Sequence, residues 1–168
     1  MTNILVPVDG SSYAKVIMDF LVNHRWTANT HLRFIHVIEP LADDVYPEVL
    51  WEKAVQAAAE KLLTGMCERV GGSLPSITVS QIIRWGDPQD EILDEAANWP
   101  ADLIVLGSHS HHDPHKTHIG SVALSILGNT KSTVIIVRVP PEKIKELSLQ
   151  ADRENLRARF KFCDTHAS

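Results

Sequence analysis

The amino-acid sequence predicts a three-layer α/β/α sandwich around a doubly wound, mainly parallel sheet of five strands. Two observations lead to this fold class. Short, unbroken runs of valine, isoleucine and leucine indicate strands that are covered on both faces, as in parallel sheets. Amphipathic helical patterns alternate with these runs, which is the order that right-handed crossover connections between parallel strands produce.

The chain begins with a predicted strand from Asn3 to Val8. Pro7 is expected at the carboxyl end of this strand, because proline removes a donor from the hydrogen-bond ladder. In the turn that follows, Asp9 can form an Asx turn, and a serine or aspartate is expected to cap the next helix. That turn is Asp9-Gly10-Ser11-Ser12, and the helical pattern runs from Tyr13 to Leu21.

The next elements repeat this alternation. Leu32 to Ile38 predicts the second strand, and a loop from Glu39 to Tyr46 separates it from a long helix. Apolar residues at three- and four-residue spacing place this helix from Val49 to Met66, and Gly71-Gly72 is expected to end it.

The second half of the chain completes the sheet. Ile77 to Trp85 predicts the third strand, and Gly86-Asp87-Pro88 begins a helix with proline near its first position. The fourth strand is predicted at Ala101 to Leu106, a short helix at Ser121 to Leu127, and the fifth strand at Thr133 to Val139. Residues 140–168 differ in composition and are interpreted as a polar, helical C-terminal extension to a domain of residues 1–139.

Composition excludes several classes of protein. A chain of 168 residues with 44% hydrophobic residues is long enough for one domain with a sizeable core. Its formal charge of −5 means that the molecule as a whole has no net electrostatic attraction to nucleic acid or to an anionic membrane surface. Only Cys67 and Cys163 are present, so the sequence encodes neither a disulfide framework nor a cysteine zinc site. No leader or membrane-spanning pattern is visible, and a cytoplasmic location is expected.

The loop after the fourth strand is the richest in chemistry. In a doubly wound sheet, ligands bind at the carboxyl ends of the strands, where the winding direction reverses. Gly107 and Gly120 allow close approach of the backbone, and the helix that begins at Ser121 offers its amino-terminal N–H groups to an anion. A phosphate is the ligand that this combination favours.

The same loop resembles the nucleotide-binding loop of the universal stress protein family, which reads Gly, two residues, Gly, nine residues, then Gly-Ser or Gly-Thr. Gly107, Gly120 and Ser121 match, whereas Ser110 stands at the second glycine. Four further segments resemble the family in the same order, so the resemblance covers residues 3 to 139. They are Ile4-Leu5-Val6-Pro7-Val8-Asp9-Gly10-Ser11, His36-Val37-Ile38-Glu39, Trp85-Gly86-Asp87-Pro88 and Val134-Ile135-Ile136-Val137.

The resemblance implies the Rossmann-like fold of the adenine nucleotide alpha hydrolases and a site for ATP, ADP or AMP. Mg²⁺ is expected to bridge the phosphates, because the loop contributes histidines and Lys116 but few carboxylates. It places Asp9 near the ribose and backbone groups around Pro7 and Val37 near the adenine. It also implies a homodimer that forms through the last strand, Thr133–Val139. The predicted site comprises Pro7, Val8, Asp9, Val37, Leu106, Gly107, His109, Ser110, Gly120, Ser121 and Val122.

The function that follows is a nucleotide-responsive, dimeric switch of the stress response that acts through an unknown protein partner. Ser110 leaves an alternative open, because members of the family with altered loops do not bind nucleotide and this chain would then be an interaction scaffold. If the second glycine is needed for positive φ, Ser110 weakens binding by about tenfold; if only a small residue is needed, it costs little. No general base for phosphoryl transfer is identifiable, so at most slow ATP hydrolysis is expected.

A metal site is the third interpretation of this loop. Five of the nine histidines lie within it, namely His109, His111, His112, His115 and His118. Imidazole clusters can hold zinc, nickel or copper, but these histidines also fit a solvated loop beside a phosphate. Outside the loop, Ser11 and Ser12 are interpreted as helix-capping residues and Glu39 as a solvated loop residue. Asp90, Glu91, Asp94 and Glu95 are interpreted as a solvent-facing helix surface.

Overall fold

The computed structural model of the protein describes residues 1–11, 13–40, 48–108 and 119–138. Five strands and four helices alternate along these ranges. In chain order they are β1 (Thr2–Pro7), α1 (Ala14–Asn23), β2 (Thr30–Ile38), α2 (Glu48–Ser73), β3 (Thr78–Trp85), α3 (Pro88–Asn98), β4 (Leu103–Gly107), α4 (Ser121–Asn129) and β5 (Thr133–Val137). The predicted order of elements is confirmed, and Pro7 ends β1 as expected.

The strands form one sheet in the order β3-β2-β1-β4-β5. Every neighbouring pair is parallel, so the described sheet is parallel throughout rather than mainly parallel. From β1 the chain moves outward through β2 to β3, then returns across the sheet to β4 and β5. The winding direction therefore reverses between β1 and β4, which is where a doubly wound sheet binds its ligands.

Two apolar cores lie on opposite faces of the sheet and confirm the three-layer arrangement. Ile4 and Val6 of β1 pack with buried residues of α1 and α2, such as Leu21 and Leu63. Leu5, whose side chain points to the other face, packs with buried residues of α3 and α4. Successive strand residues thus enter different cores, which explains the unbroken apolar runs in the sequence.

The long helix α2 runs past the position at which glycines were expected to end it. Gly71 and Gly72 lie inside its last turn, and the helix ends at Ser73. Val70 is fully buried and its carbonyl accepts a hydrogen bond from the Leu74 amide at 2.8 Å. Packing of this turn against the core therefore outweighs the roughly 1 kcal/mol that each glycine costs in a helix. None of the helices in the described ranges is long and apolar enough to cross a membrane.

The predicted solvent-facing surface of α3 is wrong at Glu95, which is only 2% exposed. Its two carboxylate oxygens accept hydrogen bonds from Arg33 of β2 at 2.7 Å and from Arg84 of β3 at 2.6 Å. The Arg33 guanidinium also lies 4.2 Å from the ring centre of Trp99, just beyond α3. Glu95 points inward because these two cations offset the cost of burying its charge.

Candidate functional site

A cavity of about 390 Å³ opens at the carboxyl ends of β1, β2 and β4. It lies beside the point where the winding direction reverses, between the ends of β1 and β4. The amino-terminal ends of α1, α3 and α4 also reach it. Its lining consists of Pro7, Val8, Asp9, Ser11, Tyr13, Ala14, Ile17, Ile35, His36, Val37, Glu39, Asp87, Pro88, Gln89, Ile92, Leu106, Gly107, Gly120, Ser121, Val122 and Ala123.

The turn between β1 and α1 forms one wall of this cavity. Asp9 Oδ1 accepts a hydrogen bond from the Ser11 amide at 3.0 Å, which confirms the predicted Asx turn. Gly10 has a φ of +74°, a conformation that suits glycine. The turn fixes the direction in which the Asp9 side chain leaves the end of β1.

Among the described residues, no side chain caps the start of helix α1. Tyr13 is its N-cap residue and makes no capping hydrogen bond through its side chain. The Ser11 carbonyl accepts the Ala14 amide at 3.0 Å, but the Ser11 hydroxyl has no hydrogen-bond partner among the described residues. The capping prediction is wrong for Ser11 because its backbone, not its side chain, closes the first turn. Ser12 lies outside the described residues.

Tyr13 contributes a buried phenol to the same wall. Its side chain is 4% exposed. Burial raises the pKa of its hydroxyl, and the nearby charge of Asp9 raises it further. The phenol therefore stays protonated at neutral pH and retains an O–H group.

The end of β2 supplies the wall next to Asp9. The His36 Nδ1 atom lies 2.8 Å from the Val8 carbonyl oxygen, and because a carbonyl only accepts, Nδ1 carries the proton. This bond ties the end of β1 to β2. Val37 and Glu39 follow along the cavity, and the Gly86 amide donates to the Ile38 carbonyl at 3.1 Å.

The end of β4 and the start of α4 form the opposite wall. The Gly120 amide donates to the Ser108 carbonyl at 3.1 Å, and the Ser108 amide donates to the Val137 carbonyl at 3.0 Å. The first hydrogen bond within α4 runs from the Leu124 amide to the Gly120 carbonyl. Gly120 is the N-cap residue, and as a glycine it has no side chain that could cap the helix. The amides of the first turn, from Ser121 onward, thus have no partner within the helix and can donate to an anion.

The amino terminus of α3 also reaches the cavity, but its donors are used. Asp87 Oδ1 accepts hydrogen bonds from the Gln89 amide at 2.8 Å and the Asp90 amide at 3.3 Å. A carboxylate therefore already occupies the position in which an anionic ligand would bind. The start of α3 is thus closed by the Asp87 carboxylate, whereas no side chain among the described residues caps the start of α4 at Gly120.

The described lining carries more negative than positive charge. Asp9, Glu39 and Asp87 contribute three carboxylates, and no lysine or arginine belongs to the part of the lining that the structure describes. An anionic ligand would need positive charge from another source. Helix α4 supplies only a partial positive charge at its amino terminus.

The structure brings together nine of the eleven predicted site residues around this single cavity. The other two, His109 and Ser110, lie outside the described residues, as do the candidate metal ligands His111, His112, His115 and His118. Within the described ranges, no three histidine, cysteine, aspartate or glutamate side chains are grouped to hold a metal ion. The nine that line the cavity are Pro7, Val8, Asp9, Val37, Leu106, Gly107, Gly120, Ser121 and Val122.

Sequence reasoning missed two groups of cavity residues. Ser11, Tyr13 and Ala14 belong to the start of α1, where helix formation alone seemed to explain the sequence. Asp87, Pro88 and Gln89 follow β3, an edge strand, and reach the cavity because α3 crosses back over the sheet toward β4. The signal for the second group is the position of Gly86-Asp87-Pro88 at the carboxyl end of a strand. Glu39, interpreted as a solvated loop residue, is exposed and also lines the cavity.

Comparison with known proteins finds one family model and several related sequences. The model of the universal stress protein family matches residues 1–138. Universal stress protein A homolog 2 of Coxiella burnetii is 29% identical over 114 residues, which are 66% of this chain and 76% of that protein. The chain spans only 44% of the longer Universal stress protein Rv1996 of Mycobacterium tuberculosis, to which it is 21% identical over 143 residues, or 83% of this chain.

Solved structures of universal stress proteins have a fold similar to that of this chain. Universal stress protein UspA from Lactobacillus plantarum is 28% identical, with a TM-score of 0.66 over 82% of this chain and 97% of that one. A universal stress protein family protein from Arabidopsis thaliana, solved with AMP bound, is 18% identical, with a TM-score of 0.61 over 85% of this chain and 95% of that one. At this identity the Arabidopsis structure supports the fold alone.

Proposed function

The chain belongs to the universal stress protein family, and from this premise we propose that its cavity binds an adenine nucleotide and that binding regulates a protein partner in the stress response. One observation carries the proposal. The cavity joins the Asp9 turn on one side to the uncapped amino terminus of α4 on the other. A ligand with a polar sugar and an anionic end matches these two walls.

Related structures support the class of ligand. Members of the family have been solved with AMP, with cAMP and with dAMP bound. In the proposed arrangement Asp9 binds the ribose, backbone groups of Pro7 and Val37 contact the adenine, and Gly107, Gly120, Ser121 and Val122 surround the phosphates. ATP, ADP and AMP all belong to this class.

We propose Mg²⁺ as a companion of the more highly charged nucleotides. The described lining offers three carboxylates and no lysine or arginine, so a triphosphate adds charge of the same sign. A divalent cation that bridges the phosphates would reduce this repulsion. ATP should therefore depend on Mg²⁺ more strongly than AMP does.

The proposal is tested by calorimetric titration of AMP and ATP, each with and without Mg²⁺, into wild type and two variants. Asp9→Asn keeps an oxygen that can accept the Ser11 amide but removes the charge offered to the ribose. We expect about 10- to 100-fold weaker binding, the size of one lost hydrogen bond to a charged group. Asp94→Asn, an exposed substitution on α3, is the matched control and should bind as wild type does. Equal affinity of Asp9→Asn and wild type would contradict the assigned role of Asp9.

Ser110→Gly tests the departure from the family loop. If the second glycine position requires positive φ, this variant binds ATP about tenfold more tightly than wild type. Absence of binding by wild type at about 1 mM ATP, together with binding by Ser110→Gly, would favour the second candidate function, a nucleotide-free interaction scaffold.

Exposed apolar surface supports a contact with another protein, whether or not the chain binds nucleotide. Leu124 and Leu127 of α4 are 53% and 50% exposed, and β5 is an edge strand with no neighbour beyond β4 in the described sheet. We propose that β5, within the segment Thr133–Val139, pairs with a second copy to form a homodimer. Residues 140–168 are proposed to form a separate extension to the domain.

A further inference from the structure

A second cavity, which we call the α1–α2 groove, lies between α1 and α2. Its volume is about 270 Å³, just below the range of about 300–1,000 Å³ that is typical of small-molecule sites. It shares Ser11 and Ala14 with the larger cavity, and its other residues belong to this groove alone. The lining is Ser11, Ala14, Lys15, Met18, Leu62, Gly65, Met66 and Arg69.

Small residues keep the groove open. Ala14 lies on the α1 side, and Gly65 lies on the α2 side. A Cβ added at Gly65 would meet no atom within 4 Å apart from its own helix and chain neighbours, so the space in front of it is empty. Met18, Leu62 and Met66 give the groove apolar walls, and methionine side chains adapt readily to a ligand of irregular shape.

Ser11 provides an unused polar group at one end of the groove. Ser11 is 6% exposed, and its hydroxyl makes no hydrogen bond to any residue that the structure describes. The backbone of Ser11 is fixed on both sides, by Asp9 at its amide and by Ala14 at its carbonyl. Only rotation about the Cα–Cβ bond remains, and this rotation can present the hydroxyl to a ligand in the groove. Burial of an unpaired hydroxyl is unfavourable, so a ligand that pairs with it gains affinity.

The charges at the groove favour an anion. Arg69 forms an ion pair with Asp19 at 2.6 Å, so its charge is largely balanced. Lys15 is exposed and forms no ion pair among the described residues. The groove therefore combines apolar walls, one hydroxyl donor and the positive charge of Lys15, which has no ion-pair partner among the described residues.

We propose that the α1–α2 groove is a second ligand site that binds a small amphipathic monoanion, of the class of medium-chain carboxylates. The carboxylate lies between Lys15 and the Ser11 hydroxyl, and the alkyl chain packs on Met18, Leu62 and Met66. This site does not depend on nucleotide binding, because its charge and most of its walls come from residues outside the larger cavity.

Octanoate is the probe that tests the proposal, with octylamine and octanol as ligands of the same length but different charge. Binding is measured by NMR titration of the full-length protein. Because octanoate is small and the groove is shallow, we expect the protein to bind octanoate with a dissociation constant of about 1 mM. Octanol should bind several-fold more weakly, and octylamine more weakly still.

Two pairs of variants locate the site. Gly65→Leu fills the groove and should abolish octanoate binding, whereas Gly71→Leu, which also adds a side chain to α2 where no atom lies within 4 Å, should not. Lys15→Gln should weaken binding about three- to tenfold, whereas Lys61→Gln, another exposed lysine that does not line the groove, should leave it unchanged.

Three results would overturn the proposal: octanoate binding that persists in Gly65→Leu, equal binding of octylamine and octanoate, or no binding to wild type at 20 mM octanoate, well above the expected constant of about 1 mM. AMP titration of Gly65→Leu separates this outcome from the nucleotide proposal. If Gly65→Leu loses octanoate but still binds AMP, both sites are supported. If octanoate binds to the groove and AMP does not bind, only the nucleotide proposal fails.

Discussion

Glu95 shows how strongly a single residue can depend on partners far away in sequence. Burial by itself raises the pKa of this carboxyl, but hydrogen bonds and charge from Arg84 and Arg33 outweigh burial and hold the pKa below its usual value. A carboxyl whose folded-state pKa is lowered stabilises the fold above its unfolded pKa and loses that contribution as pH falls through the folded value. The stabilisation by Glu95 is thus complete at neutral pH and is lost in acid.

We expect Glu95→Gln to lower the free energy of unfolding by about 2 kcal/mol at pH 7, because it loses charged hydrogen bonds to two arginines. The deficit should be constant between about pH 6 and 8 and should shrink below about pH 4, as the pH falls from the unfolded pKa toward the lowered folded pKa and the wild-type carboxyl takes up its proton. Urea denaturation across this range measures it. Asp94→Asn, on the exposed side of the same helix, should change stability by less than about 0.5 kcal/mol. A deficit that is equal at pH 3 and pH 7 would contradict the charge-based explanation.

Two glycines should respond in opposite directions to the same substitution. Gly86 has a φ of +147°, and a Cβ there would lie 2.9 Å from Glu91 Oε1. We expect Gly86→Ala to destabilise the protein by about 1–3 kcal/mol through backbone strain and this contact. Gly71 lies in α2 with open space in front of it, so Gly71→Ala should stabilise by about 0.5–1 kcal/mol. Thermal denaturation of the two variants compares them directly, and a loss of stability in Gly71→Ala would show that α2 needs its glycine.

At the scale of elements, α3 connects the stability of the fold to the candidate site. Its N-cap residue Asp87 satisfies two backbone amides, and Pro88 and Gln89 line the cavity. We expect Asp87→Ala to cost about 1 kcal/mol of unfolding free energy and to weaken AMP binding, because the first turn of α3 loses its fixed position. Asp87→Ser keeps a capping oxygen and should restore most of both properties. Denaturation and calorimetry on the same samples give the result, and an Asp87→Ala variant as stable as wild type would contradict it.

The elements themselves were predictable because local signals determine them. The short, β-branched apolar run from Asn3 to Val8 favours a buried strand, and Asp87-Pro88 has the chemistry of a helix start. The end of α2 was not predictable, because the decisive contact is the burial of Val70 against the core, which the local glycine signal does not reveal. The inward position of Glu95 depends on Arg33, 62 residues earlier in the chain, and a helical charge pattern contains no information about that partner.

The candidate site was predictable to the extent that it follows from sheet topology. The turns after β1 and β4 meet at the reversal of the winding direction, so Asp9 and Gly120 were expected near each other and do line one cavity. The contribution of α3 required knowledge of the path by which that helix crosses the sheet. The capping prediction for Ser11 was wrong because sequence gives the residue type and not the rotamer.

At the scale of the whole molecule, the proposed dimer depends on surfaces of the last β-α-β unit. If α4 contributes to the interface, replacement of both Leu124 and Leu127 by glutamate should raise the dimer dissociation constant by tenfold or more. The dimer would then have to bury two charged side chains in place of two leucines. Gln81→Glu on β3, at the opposite edge of the sheet, is the matched control. Sedimentation velocity at micromolar concentration measures the oligomeric state of the wild type and of both variants. A wild-type protein that is entirely monomeric under these conditions would exclude the dimer.

The bridge that Glu95 makes between β2 and β3 also bears on how the molecule opens. Because one carboxylate accepts hydrogen bonds from an arginine of each strand, α3 cannot separate from the sheet without breaking its ion pairs to both strands. In hydrogen-exchange terms, the amides of α3, β2 and β3 should belong to one cooperative unit that becomes exchangeable in a single opening event. None of the described ion pairs joins the last β-α-β unit to them, and β5 lies at the edge of the described sheet, so its amides are expected to exchange before those of α3.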